Sequence, residues 1–300
     1  MGKDNDSWGF DEGDQITPDL TAMKLLGGGS AYEAYLAFDD ITYAPVVVKV
    51  VRSSQVDDAS TLRGLDREVD ALSAVNHPVV VRGLRAVVDG ERPHLVLEQL
   101  DGPRLSTLIR RYGPLPEQQY LPLAIEMASA LHYFRRIGFV HLDIKPSNII
   151  MGAPARLIDL SVARTAEAAE ALTYPIGTDA YMAPEQVDPP ATGVPGYASD
   201  VWGLGATLFE AIAGYKPFED GADEVAIGVG DAPELAARFP QLVEPPYTLP
   251  ERVADDVAKV VYAALEPDPA NRPLPHELAE GLEPALERAP RGRLAGFKIR

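Results

Sequence analysis

The sequence contains no cysteine. That absence excludes disulfides, zinc–thiolate centres and a thiol nucleophile, and it fits a reducing compartment without requiring one. Long apolar runs are missing too. The longest, at 46–51, is interrupted by Lys49 and falls far short of the roughly 20 residues a membrane-spanning helix needs. No basic segment followed by an apolar stretch opens the chain, so no secretory signal is expected and the reading is a cytoplasmic protein without membrane insertion. Basic residues are also scarce: 27 Lys and Arg stand against 45 Asp and Glu, a net charge of -18. A field of that sign repels phosphate backbones and anionic lipid, which excludes nucleic acid as an expected partner. Any phosphate site must be built locally.

What is present is ample apolar content, 46% over 300 residues, enough for one large domain or two lobes sharing a core. Residues 1–19 are acidic with little apolar periodicity, and a flexible lead-in is expected, with Trp8 and Phe10 able to dock on the body. From 20 to 97 strand patterns dominate, at 20–26, 32–38, 46–51, 84–88 and 95–97. One helix interrupts them, with Ser60 as its cap and Leu62, Leu65, Val69 and Leu72 along one face. Beyond 102 the pattern turns helical. A short helix at 105–112 ends at Gly113, and a longer one directs Leu121, Ile125, Ala128 and Leu131 inward and stops at Gly138, with Pro122 near its start. A third is capped by Ser199, buries Val201, Leu204, Leu208 and Ile212, and ends before Gly214. Prolines at 188–195 and 245–250 predict ordered loops. The expected fold is therefore α+β and bilobal: a small β-rich lobe with one helix (20–97), a hinge (98–102) and a larger helical lobe (103–285). A basic tail (286–300) follows.

The chemistry is concentrated at 141–161. Residues 141–150 read His-Leu-Asp-Ile-Lys-Pro-Ser-Asn-Ile-Ile, and Leu-Ile-Asp-Leu-Ser follows at 157–161. This order and spacing suit phosphoryl transfer from Mg-ATP to a hydroxyl. Asp143 would orient and deprotonate the hydroxyl, Lys145 would neutralise the moving phosphoryl group, and Asn148 with Asp159 would hold Mg²⁺. Upstream, Leu26-Gly27-Gly28-Gly29 lies between two strands, where backbone amides can approach phosphates; an ordinary glycine hairpin is the alternative for that segment alone. Lys49 reads as the contact to the α- and β-phosphates, held by Glu68, which flanks Leu65 and Val69 on the helix. Taken singly, each also reads as a solvent-facing residue. His141 reads as a core histidine supporting the loop.

With these segments in place, the chain resembles a eukaryotic-type (Hanks-type) serine/threonine protein kinase of the kind found in bacteria, over about residues 20–285. Residues 177–185, Gly-Thr-Asp-Ala-Tyr-Met-Ala-Pro-Glu, resemble the end of that family's activation segment, and 199–205 resemble the start of its buried central helix. The resemblance implies that Asp200 anchors the catalytic loop, that Arg272 pairs with Glu185, and that Leu97 is the gatekeeper. It also implies that the backbones of Glu98 and Leu100 bond adenine, and Leu160, next to the metal-binding Asp159, is expected to pack with Leu72 and His141. Lys145-Pro146-Ser147-Asn148 with Thr178 is similar to the Ser/Thr-specific form of the loop. ATP and Mg²⁺ as cofactors, and Ser/Thr hydroxyls of proteins, its own included, as acceptors, follow from the same resemblance; the oligomeric state does not.

Three departures stand out. Tyr32 takes the place of the family's third loop glycine, and Asp159-Leu160-Ser161 replaces Asp-Phe-Gly, so residue 161 loses glycine's freedom at positive φ. Leu142 replaces the arginine that pairs with an activation-segment phosphate, so activity is expected to depend little on modification of Thr165, Thr173 or Tyr174. A pseudokinase acting as an ATP-binding or scaffolding module is the alternative. A small-molecule kinase of the same broad fold is disfavoured by Ala183-Pro184-Glu185 and the Lys-Pro-Ser-Asn loop.

Overall fold

The computed structural model describes residues 7–221 and 232–288. Its first lobe is a six-stranded antiparallel sheet of β1 (Gln15–Thr17), β2 (Leu20–Gly28), β3 (Tyr32–Asp39), β4 (Ala44–Val51), β5 (Gly83–Val87) and β6 (His94–Glu98). The strands lie in the order β1-β2-β3-β4-β6-β5, and α1 (Ala59–Ala74) is inserted between β4 and β5. Alternation along β4 decides how this lobe is assembled. Val46, Val48 and Val50 are buried in one cluster with Tyr35, Ala37 and Val96, while Val51, Leu95 and Leu97 belong to the core that runs into the second lobe. Lys49 lies on the strand between these valines.

The sheet's outer face explains a correction. From residue 7 the lead-in expected to be flexible is ordered: Ile16 is fully buried in the Val46–Val48–Val50 cluster, and Trp8 and Phe10 pack against it. The Trp8 indole N–H donates to the Val51 carbonyl at 2.8 Å, and Arg92 lies over both rings. Without Ile16, Trp8 and Phe10, part of this apolar face would be open to water, where full exposure of one valine costs roughly 1.5–3 kcal/mol. Residues 1–6 lie outside the described residues.

Helix α1 is capped by Asp58, whose carboxylate accepts the Thr61 N–H at 2.7 Å, rather than by Ser60. Its buried face centres on Thr61, Leu65, Glu68 and Leu72, so Leu62 sits at the margin and a glutamate occupies the middle.

The second lobe is built on α2 (Leu105–Tyr112), α3 (Glu117–Ile137), α4 (Ala166–Glu170), α5 (Pro184–Val187), α6 (Pro189–Thr192), α7 (Tyr197–Ala213), α8 (Ala232–Arg238), α9 (Asp255–Ala264) and α10 (Pro275–Arg288). Short strand pairs join β7 (Phe139–Val140) to β10 (Arg164–Thr165) and β8 (Ile149–Ile150) to β9 (Arg156–Leu157). Gly138, at φ 77, ends α3 in the left-handed turn its lack of Cβ permits. Pro122 falls in the second turn of α3 on an exposed position, and the helix continues through it.

Almost every residue of α7 is buried, the mark of a helix enclosed on all sides. A Cβ on Gly205 would meet the Ala264 Cβ at 2.8 Å, so this glycine sets the close crossing of α7 and α9. The start of α7 differs from expectation: Gly196 occupies the cap position, and Ser199 sits inside the first turn, accepting the Gly196 N–H at 3.0 Å. The proline-rich stretch at 188–195 is not all loop either, because Pro189 and Pro190 begin α6, where a missing N–H is harmless. At the other end, α10 runs on through 286–288 and Arg288 pairs with Asp256 at 2.7 Å; the rest of the basic tail lies outside the described residues.

Candidate active site

Two segments carry the chemistry, and α7 positions the first. The loop at 141–148 leaves β7 with Leu142 in the left-handed region, at φ 63. For a residue with a Cβ that conformation costs roughly 1–2 kcal/mol. Asp200, in the first turn of α7, offsets it: its two carboxylate oxygens accept the N–H groups of His141 and Leu142, each at 2.7 Å. Burial pushes the Asp200 carboxyl up to about 7, against the pull of those two N–H groups. Gly203 lets Ile144 lie directly on the helix, since a Cβ there would stand 3.1 Å from the Ile144 carbonyl oxygen. His141 is fully buried, its Nδ1 accepts the Asp143 N–H at 3.3 Å, and burial pushes its pKa down. It is a neutral support.

Asp143 is held at both oxygens. Oδ1 accepts from the Thr178 hydroxyl at 2.7 Å, and Oδ2 accepts from Lys145 Nζ at 2.7 Å and Asn148 Nδ2 at 3.0 Å. Lys145 Nζ also donates to Thr178 Oγ1 at 2.5 Å, closing a triangle of three side chains. Because Asn148 spends its amide nitrogen on Asp143, bonding the backbone carbonyl as well at 3.0 Å, its amide oxygen points away as a free acceptor.

The second segment follows β9. Asp159 carries the positive φ, 65, and Ser161 does not. The expectation that residue 161 needs glycine's freedom is therefore corrected: the left-handed position is Asp159 itself. Desolvation works to raise the Asp159 carboxyl, but the Lys49 ammonium, with help from the nearby Ser161 hydroxyl, outweighs it and holds it at about 2. Leu160 is fully buried in the core cluster that includes Leu72.

Lys49 joins the lobes. Its Nζ lies 2.6 Å from Glu68 and 3.3 Å from Asp159. Burial alone would lower its pKa, but Glu68 and Asp159 hold it above the usual lysine range. Glu68 is 1% exposed, and burial pushes its carboxyl up while Lys49 opposes the shift.

Leu26, Gly27, Gly28 and Gly29 form the end of the β2–β3 hairpin. Its ladder extends to Gly28 opposite Glu33, and the Gly29 N–H donates to the Tyr32 carbonyl at 3.0 Å. Gly27 has φ 143, and a Cβ on Gly28 would stand 2.5 Å from the Tyr32 carbonyl oxygen, so neither position accepts a side chain without strain. Arg52, a residue to which sequence patterning assigned nothing, holds this hairpin: its Nε donates to the Gly29 carbonyl at 2.7 Å and its backbone N–H to Ala31 at 2.9 Å.

Near the end of β6, at the stretch expected to be the hinge, Leu97 is 9% exposed in the large core cluster that contains residues of both lobes. Glu98 ends β6; its N–H is taken by the Arg82 carbonyl at 3.0 Å, and its side chain pairs with Arg156. Leu100 is partly buried against the same core.

In the second lobe, Glu185 and Arg272 pair at 2.6 and 2.8 Å, and Ser199 donates to Glu185 at 2.7 Å. Gln186, also unassigned from the sequence, donates to the carbonyls of Leu142 at 2.9 Å and Ile176 at 2.8 Å, tying the 141–148 loop to the segment that follows it. Only the fold brings residues 142, 176 and 186 together. Leu142 is buried with Val140, Ala169 and Leu172, and Val162, Ile176 and Tyr197 pack against that cluster. Among the described residues no helix is long and apolar enough to cross a membrane.

Comparison with known proteins agrees with this geometry. Residues 20–281 match the protein kinase domain. Serine/threonine-protein kinase PknB of Mycobacterium leprae is 31% identical over 260 residues, 83% of this chain and 40% of the relative. PknB of Mycobacterium tuberculosis is 30% identical over 262 residues, and PrkC of Bacillus subtilis is 28% identical over 282, 92% of this chain and 41% of that protein. The chain thus spans about 40% of the length of these relatives. A lysine ion-paired with a buried glutamate, an aspartate held by lysine and threonine, and a family match over residues 20–281 lead to one conclusion: the chain belongs to the protein kinase domain family.

Proposed function

We propose that this chain is an ATP-dependent protein serine/threonine kinase that transfers the γ-phosphate of ATP to Ser and Thr hydroxyls of proteins, itself included. The observation that carries the reading is the fixed Asp143 carboxylate, bonded by Thr178, Lys145 and Asn148. A hydroxyl docked there meets a base whose orientation is already set, and positioning supplies much of the rate in such reactions. Asp143 accepts the hydroxyl proton as the new O–P bond forms and the bond to ADP breaks. Lys145 lies where charge develops on the moving phosphoryl group.

The donor set fits Mg²⁺, a hard cation that takes oxygen ligands: Asp159 is ionised and Asn148 turns a free amide oxygen away from Asp143. When bound, the ion offsets phosphate charge. Lys49, held by Glu68, would meet the α- and β-phosphates, and Gly27, Gly28 and Gly29 would cover them. At the hinge, the Glu98 N–H is occupied, which leaves its carbonyl, with the Leu100 backbone, for adenine. Thr178, which touches both Lys145 and Asp143, favours an alcohol acceptor on a short side chain over a phenol.

The test is incubation of purified protein with Mg-ATP, phosphosite mapping by mass spectrometry and phosphoamino-acid analysis, beside an Asp143→Asn control. Phosphoserine and phosphothreonine in the wild type alone are expected. Binding of Mg-ATP without transfer to itself or to generic acceptors would instead identify a pseudokinase, and a product dominated by phosphotyrosine would overturn the specificity.

A further inference from the structure

Two residues that look misplaced in the sequence explain each other in the fold. Tyr32 puts a large side chain where the kinases it resembles have the third loop glycine, and Gly64 sits in the interior of α1, where glycine is about 1 kcal/mol less favourable than alanine. The Tyr32 ring does not cover the hairpin tip. It turns inward, its hydroxyl donates to the Thr61 carbonyl of α1 at 2.8 Å, and its face lies 4.6 Å from the Lys49 ammonium. A Cβ on Gly64 would stand 3.0 Å from the Tyr32 hydroxyl oxygen. The helix thus lacks a side chain at the spot where the phenol arrives.

We propose that Tyr32 is a positioning residue that fixes Lys49 and α1 together, with Gly64 as its seat. Lys49 needs the Glu68 carboxylate, and that carboxylate moves with α1. A strut from β3 to the first turn of α1 holds the distance between Lys49 and Glu68, while the ring face offers the ammonium a third neighbour beside Glu68 and Asp159. The Thr61 carbonyl has a second lone pair for the phenol, so the contact leaves helix bonding intact. Burial raises the pKa of Tyr32, which keeps the hydroxyl a donor at neutral and mildly alkaline pH. The inference rests on the kinase reading for its effect on transfer, but not for its effect on nucleotide binding.

The experiment compares wild type, Tyr32→Phe, Gly64→Ala and the double variant by Mg-ATP calorimetry and by steady-state kinetics with a generic protein acceptor. Each single variant should weaken Mg-ATP binding and raise the KM for ATP roughly fivefold, the change one ordinary neutral hydrogen bond makes. The KM for the acceptor should not move. In the double variant the missing hydroxyl leaves room for the methyl, so its loss should equal that of Tyr32→Phe alone. A merely structural role would lower kcat through a smaller active fraction and leave both KM values unchanged, which would overturn the proposal. Multiplied losses in the double variant, or single variants within twofold of wild type, would overturn it too. Should Gly64→Ala fail to fold, Tyr32→Phe alone decides. Absence of transfer by the wild type would sink the kinase reading, and the calorimetric comparison would still decide the role of Tyr32.

Discussion

The Glu185 carboxylate and the Arg272 guanidinium meet through two contacts of 2.6 and 2.8 Å, and neither side chain is exposed. Arg272 also donates to the carbonyls of Ala198, Glu266 and Pro267, so it joins α5, α7 and the segment after α9. Arg272→Ala leaves a buried carboxylate without its partner and should cost about 3–5 kcal/mol. Chemical denaturation of the two proteins measures it; a loss below about 1 kcal/mol, the scale of an exposed pair, would show that water reaches Glu185.

Asp159 and Asp143 should separate in their effects. Asp159→Asn removes an ionised carboxylate, the proposed Mg²⁺ ligand, and a partner of Lys49, and should weaken Mg-ATP binding by about tenfold or more, ~1.4 kcal/mol. Asp143→Asn should leave binding within about threefold, ~0.65 kcal/mol, and abolish transfer. Calorimetry beside a kinase assay reads both.

Thr178 reaches Asp143 and Lys145 at once. Thr178→Val removes both bonds at similar volume and should lower kcat about tenfold or more with unchanged Mg-ATP affinity. Thr178→Ser should restore most of the rate. Failure of serine to rescue would assign threonine's methyl, not its hydroxyl, the larger share.

Leu142 is buried in an apolar cluster with Ala169 and Leu172, in the stretch expected to be the activation segment, an arrangement that needs no phosphate. Thr165 caps α4 through its hydroxyl, accepting the Ala168 N–H at 3.2 Å. Phosphatase-treated protein and a Thr165→Ala/Thr173→Ala variant should keep initial rates within about tenfold of the untreated enzyme, ~1.4 kcal/mol in the barrier. A larger drop would mean that another basic residue, such as Arg164, takes the missing arginine's role.

Asp200 gives a pH dependence with a definite sign. Its folded pKa, about 7, lies above the unfolded value near 4, so its stabilising contribution is complete below pH ~4 and is lost as pH rises through about 7. Relative to Asp200→Asn, which does not titrate, the wild type should lose stability across that window at up to ~1.4 kcal/mol per pH unit. Denaturation at several pH values reads the difference; a gap independent of pH between 4 and 8 would contradict it.

The candidate site was legible because Asp143, Lys145, Asn148 and Asp159 lie within 17 residues of one another, where spacing alone constrains them, and the fold does bring Lys145 and Asn148 onto Asp143. Leu65 and Leu72 announced the inner face of α1 through their period, and Glu68 fell between them. Other features were hidden because their causes are distant in the chain. Trp8 and Ile16 are ordered by valines at 46, 48 and 50, which no local pattern links to them. Asp58 and Ser60 compete as caps two residues apart, and only the realised Thr61 bond decides. The left-handed turn at Leu142 has no local signal, since it is sustained by a carboxylate 58 positions later.

The family match begins at residue 20, while the folded unit begins no later than residue 7. Homology and architecture therefore draw the edge of this protein in different places. A fragment trimmed to the homologous boundary would strip β1 from its neighbour, uncover Val46, Val48 and Val50, and release the Glu33 carboxylate that Trp8 and Arg52 share beside the glycine hairpin. Weak nucleotide binding by such a fragment would then report on the missing strap and not on the catalytic residues.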